Sequence, residues 1–136
     1  MRTWLMLVVV VALAFAALPA LAVSRDAFVG TWEVVVSPDE DAASAGEKEY
    51  KDTFTFKGMQ FKSAKASAKG FESIQYEEDT RAGIAATFKA TGKSKKDETK
   101  ATWTGTSTAN TLSGELTWTR PDGTVLHYTF KGERKG

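Results

Sequence analysis

The segment KATWTGTSTANTLSGELTWTRPDGTVLHYTFKG, from Lys100 to Gly132, repeats an apolar–polar alternation of period two through three successive runs. Ala101 and Trp103 alternate with Lys100, Thr102, Thr104 and Thr106. Leu112, Gly114, Leu116 and Trp118 alternate with Ser113, Glu115, Thr117 and Thr119, and Leu126, Tyr128 and Phe130 with Val125, His127, Thr129 and Lys131. Successive side chains of a strand point to opposite faces, so the runs 100–106, 111–120 and 124–132 predict strands with one apolar face each. Ala109-Asn110 and Pro121-Asp122-Gly123 separate them, the second with Pro and Gly each suited to a turn position. Three strands joined by two hairpins are the start of an antiparallel sheet.

The same pattern extends toward the N-terminus. Phe28 to Val36 predicts a strand with Phe28, Gly30, Trp32, Val34 and Val36 on one face, ended by Ser37-Pro38 because Pro has no N–H for a ladder. A polar loop to about Glu47 precedes a second strand, Tyr50 to Phe56, and Lys57-Gly58 turns the chain into a third, Met59 to Ser63. Between Ala64 and Gly70 periodicity does not separate an irregular crossing from one helical turn, and the segment reads as loop. Phe71 to Asp79 predicts a fourth strand with Ile74 and Tyr76 inward. Arg81-Ala82-Gly83 then turns into a fifth, with Ile84, Ala86, Phe88 and Ala90 on one face, followed by the basic loop Gly92 to Asp97. About eight short strands without a crossover helix predict an all-β, antiparallel up-and-down meander. Each strand buries one face, so the sheet must fold into a sandwich or close into a barrel, and closure also removes exposed edges. Eight strands is a size at which a barrel either fills with its own side chains or holds one small ligand.

The first 22 residues, Met1 to Ala22, read as an export signal. Arg2 is a short positive start, Trp4 to Leu18 an unbroken apolar run, and Leu18-Pro19-Ala20-Leu21-Ala22 places small residues where a signal peptidase reads them. A membrane anchor is the competing reading, but the run is shorter than the roughly 20 residues that span a bilayer, and Pro19 interrupts it. Cleavage after Ala22 leaves residues 23–136 as a single β-barrel domain, expected as a soluble monomer in the bacterial periplasm or outside the cell. Arg2 leaves with the signal, so 17 of the 18 basic residues remain against 17 acidic ones, and the mature formal charge is zero with His127 neutral. That balance argues against nucleic acid or anionic lipid as the main partner. With no cysteine, stability must come from packing and ladder hydrogen bonds, and thiolate metal sites and Cys nucleophiles are excluded.

Phe28-Val29-Gly30-Thr31-Trp32 resembles the Gly-x-Trp signature that opens the first strand of the calycin group, which includes lipocalins, fatty-acid-binding proteins and avidin-like proteins. The resemblance implies a meander barrel with Gly30 and Trp32 in structural roles, Trp32 plugging the closed end. It also implies a cation from the last strand over that ring, either Lys131 or Arg134. The mature chain is shorter than a typical lipocalin and lacks that family's C-terminal helix. Trp103-Thr104-Gly105, Leu112-Ser113-Gly114-Glu115-Leu116-Thr117-Trp118 and Tyr128-Thr129-Phe130-Lys131-Gly132 are similar to a series in small exported bacterial proteins, a group that brings no assigned chemistry.

Catalytic constellations are thin. His127 falls on the outward register with no nucleophile to serve. Neighbours in Glu77-Glu78-Asp79 point to opposite faces, so only Glu77 and Asp79 share one, and the run reads as a solvated strand end. Asp39-Glu40-Asp41 departs from the spacing of a calcium loop, and Lys93, Lys95 and Lys96 with Asp97 and Glu98 read as solubilising turn charges. No metal or cofactor is expected, and an enzyme is the least supported class.

The inward register collects Trp32, Phe54, Phe56, Phe61, Phe88, Trp103 and Phe130. Tyr50, Asp52, Tyr76, Trp118 and Arg120 fall on the same faces as candidate ligand contacts. Two readings stay open: a hollow barrel carrying a small apolar or amphipathic molecule with one polar head, and a filled barrel whose outer faces bind a protein or glycan.

Overall fold

The computed structural model describes residues 27–79 and 85–135. The export segment Met1–Ala22 and the turn Arg81-Ala82-Gly83 lie outside the described residues, as does Ile84. The strands are β1 (Gly30–Pro38), β2 (Tyr50–Lys57), β3 (Gln60–Ser63), β4 (Ile74–Asp79), β5 (Ala86–Lys93), β6 (Lys100–Thr108), β7 (Thr111–Thr119) and β8 (Val125–Arg134). Each pairs antiparallel with its sequence neighbour, and β1 pairs with β8 from Trp32↔Arg134 to Pro38↔Tyr128, closing the barrel. Closure decides against the sandwich and leaves no strand without two partners.

The period-two pattern translates directly into burial. Trp32, Val34 and Val36 of β1 are buried, as are Phe54 and Phe56 of β2, Phe88 and Ala90 of β5, and Leu126, Tyr128 and Phe130 of β8. Phe54, Phe56, Phe61, Phe88 and Phe130 form a continuous ring stack with neighbouring centroids 4.9 to 6.4 Å apart, many of them edge to face as the aromatic quadrupole favours. At this end Phe28, fully buried just before β1, packs on Phe56, Tyr76 and Phe88.

Trp32 sits in the same closed half. Its Nε1–H donates to the Phe28 carbonyl at 2.9 Å, and the Arg134 guanidinium lies 4.4 Å from its ring centroid. Of the two cations expected from the last strand, Arg134 takes this position. It also donates to the carbonyls of Ala27 (2.9 Å) and Val29, tying the entering chain to β8. Gly30 has φ of +129°, a conformation that costs a side-chain-bearing residue, at the first position of β1. At the waist of the barrel Gly114 faces Gly105, and a Cβ on Gly114 would stand 2.6 Å from the Phe130 ring. Glycine there is a packing requirement.

Two predicted loops are partly helical. Residues Glu40–Ser44 form α1 inside the polar loop, with Asp39 accepting from the Ala42 amide at 2.8 Å. Glu40 and Asp41 lie in its first turn, where negative charge favours the helix dipole, so the acidic run caps and charges the start of α1. Residues Ala64–Ala68 form α2, capped by Ser63, whose Oγ accepts from the Ala66 amide at 3.1 Å. The fourth strand begins at Ile74, not Phe71, because the Phe71 amide donates to the Ala66 carbonyl and finishes α2 instead. The first strand runs on to Pro38, two residues past its expected end, where Asp39 donates to His127 across the β8 seam and Pro needs no ladder donor.

Candidate functional site

The barrel is filled at the Trp32 end and open at the other. A cavity of about 310 Å³ lies where the end of β1, the starts of β2 and β8 and the end of β7 converge. Its apolar wall is Trp103, Leu116, Trp118 and Leu126, with α2 contributing Lys65, Ala66 and its C-cap Lys69. Tyr50, Tyr128, Arg120 and Glu47 complete the lining with polar tips on partly apolar bodies, together with Ser63. A hollow with an aromatic and aliphatic wall on one side and polar groups on the other, at the lower end of the roughly 300–1,000 Å³ usual for small-molecule sites, can take a small amphipathic ligand.

Strand parity turns Tyr50, Trp103, Leu116, Trp118, Leu126 and Tyr128 toward this hollow, and the pairing of the polar groups follows from the closure. Glu47, in the segment between α1 and β2, reaches across the mouth. One carboxylate oxygen accepts from Arg120 Nη2 at 2.9 Å and the other from the Tyr128 hydroxyl at 2.9 Å. Tyr50 packs edge-on against Tyr128 with centroids 6.2 Å apart. Burial, chiefly, pushes the Tyr128 phenol well above its ordinary value, and its hydrogen bond to Glu47 adds to the effect. Tyr50 is raised by burial and then by the charge of Asp52. Both phenols therefore stay protonated donors at neutral pH.

On the α2 side the cavity is cationic. Lys65 Nζ lies 5.8 Å from the Tyr50 centroid and Lys69 Nζ 5.3 Å from that of Trp118. The helix carrying them is held at both ends. At its start Asp52, buried at 7% exposure, accepts from Ser63 Oγ (2.5 Å), Thr53 N (2.7 Å) and Lys65 N (3.0 Å). At its end the β5–β6 loop clamps it: Ser94 Oγ donates to the Lys69 carbonyl at 2.7 Å, Lys95 N to Gly70 at 2.9 Å, and Lys96 Nζ to Ala68 at 3.2 Å. The basic loop expected only to solubilise thus positions a wall of the cavity. Trp103, 1% exposed, also lines it, and its Nε1–H is the buried side-chain polar atom left without a partner among the described residues.

Of the five residues expected to meet a ligand, the structure brings Tyr50, Trp118 and Arg120 to this one cavity. Asp52 is inward but spends its oxygens on Ser63 and the α2 backbone, away from the lining. Tyr76 is inward at the filled end, against Phe28, Phe56 and Phe88. Glu47, Lys65, Lys69 and Tyr128 were not singled out. Tyr128 has the right parity, and Lys65 and Lys69 stand four apart as helix neighbours do, but nothing local points Glu47 across the barrel mouth. His127 is exposed on the outer face, and among the described residues no group of three His, Asp or Glu is arranged to hold a metal ion.

Comparison of the chain with family models, with curated proteins and with solved structures finds no match, so its geometry carries the functional argument.

Proposed function

We propose that the protein is an exported, non-enzymatic binding protein that carries or senses a small apolar or amphipathic molecule at the open mouth of a lipocalin-like barrel. The observation that carries this reading is the cavity of about 310 Å³ walled by Trp103, Leu116, Trp118 and Leu126 beside the polar tips of Tyr50, Tyr128 and Arg120. Apolar walls release water from a ligand's hydrocarbon, and phenol and guanidinium groups at the rim keep its polar end paired or hydrated. Gly30 and Trp32 at the start of β1, with Arg134 over the Trp32 ring, support a calycin-type origin for the barrel.

Export and cleavage after Ala22 are part of the same proposal, supported by the Met1–Ala22 pattern. Mass mapping of the protein from the producing cell is expected to find an N-terminus at Val23. An intact Met1 in the membrane fraction would favour an anchor.

Titration with the uncharged fluorophore phenylnaphthylamine tests the binding reading. Saturable binding with energy transfer from tryptophan is expected in the parent, with weakened transfer in Trp118→Phe. Absence of saturable binding would overturn the carrier reading in favour of a module that works through its outer faces.

A further inference from the structure

Resting on the binding reading of this cavity, we infer that its ligand is a small amphipathic anion whose charged head is held by Lys65 and Lys69, with its apolar body on Trp118 and Trp103. Four side chains charged at neutral pH line the cavity, Glu47, Lys65, Lys69 and Arg120, and they carry two more positive charges than negative. Glu47 is committed, bonded at one oxygen to Arg120 and at the other to Tyr128, so the internal carboxylate already occupies the Arg120–Tyr128 pair. The surplus charge therefore resides on the two lysines.

Neither lysine has a carboxylate within ion-pair distance among the described residues, whereas Lys93 at the end of β5 and Lys95 of the following loop are paired with Glu98 and Glu72 at 2.7 Å. Asp97 senses the charge of Lys69 but forms no ion pair with it. Instead both ammonium groups lie over ring faces that line the hollow, Tyr50 and Trp118. Their backbone is anchored by Asp52 and Ser63 on one side and by Ser94 and Lys95 on the other. Both lysines are exposed at the mouth of the hollow, so an anion arriving from solvent can reach either ammonium group, and salt screens that attraction. Because Glu47 holds Arg120, the head group is directed to the α2 side of the mouth. The size of the hollow restricts the body to a ring system or short chain.

The test compares two dyes that share a ring system, the anionic anilinonaphthalene sulfonate and the uncharged phenylnaphthylamine, on the parent, on Lys65→Gln/Lys69→Gln and on Lys65→Arg/Lys69→Arg. The Gln pair is expected to weaken the sulfonate dye about three- to tenfold and the neutral dye by clearly less. The Arg pair is expected to retain sulfonate binding, and added salt to weaken the sulfonate dye only. If the Gln pair binds both dyes as the parent does, or loses both alike, the anion assignment falls while the cavity keeps its binding role. If neither dye binds the parent, the binding reading itself falls. Thermal melts of the variants confirm that α2 remains folded.

Discussion

Trp32→Ala removes the plug of the filled end. The ring is fully buried, donates its N–H to the Phe28 carbonyl at 2.9 Å, and carries Arg134 at 4.4 Å on its face. Truncating a buried Trp costs about 3–5 kcal/mol, and leaving the Phe28 carbonyl without its donor adds about 1 kcal/mol. The expected loss is therefore about 4–6 kcal/mol, against a total of about 5–15 kcal/mol for a typical domain. At roughly 4 °C per kcal/mol for a chain of this size, the melting temperature should fall by about 16–24 °C. Thermal and urea melts followed by near-UV circular dichroism measure it, and Trp32→Phe provides a folded intermediate at about 1–3 kcal/mol if the Ala variant is unfolded from the outset. A Trp32→Ala protein melting within a few degrees of the parent would refute the assignment of Trp32 as the plug.

Asp52→Ala should destabilise by about 1–3 kcal/mol, because the buried Ser63 Oγ and the part-buried Thr53 and Lys65 amides lose their acceptor; urea denaturation checks it. Gly114→Ala should cost at least about 1–3 kcal/mol, because the new Cβ would collide with the Thr104 carbonyl oxygen and stand 2.6 Å from the Gly105 backbone and the Phe130 ring, measured by the same melts. All three tyrosines, Tyr50, Tyr76 and Tyr128, have phenols raised in the fold, first by burial. The folded state holds these protons more tightly than the unfolded chain, so their contribution is complete below the free phenol value of about 10 and is lost as pH rises beyond it. Phenolate absorbance should thus rise together with alkaline unfolding rather than in a separate step near pH 10. Glu47→Gln should bring the Tyr128 transition down toward the ordinary phenol value, since a carboxylate hydrogen bond helps to raise it.

Much of the fold is legible in the chain because strand parity is local. Whether Trp32, Phe54 or Phe130 faces inward depends only on counting residues by two, and neither propensity nor distant contacts alter that count. Turn chemistry at Pro121-Asp122-Gly123 and Lys57-Gly58 is equally local, and so is the absence of a crossover helix. Parity also places Tyr50, Trp118 and Arg120 on the cavity side of their strands.

Height along the barrel is not local. Tyr76 and Tyr128 share the inward parity, yet Tyr76 ends beside Phe28 and Tyr128 beside Glu47, because ladder register and closure of β1 on β8 decide which end each reaches. The two five-residue helices were obscure for a related reason. Segments that short do not hold themselves together, and α2 exists through its N-cap Ser63 together with Asp52 of β2 and Ser94 of the β5–β6 loop, which only the fold brings to it. The sequence by itself determined which side chains line the interior of an antiparallel meander, since that needs only the two-residue period of a strand. Only the tertiary structure decided that one end is packed solid while the other keeps a cationic, aromatic hollow, because volume and charge pairing depend on groups brought together across the whole chain.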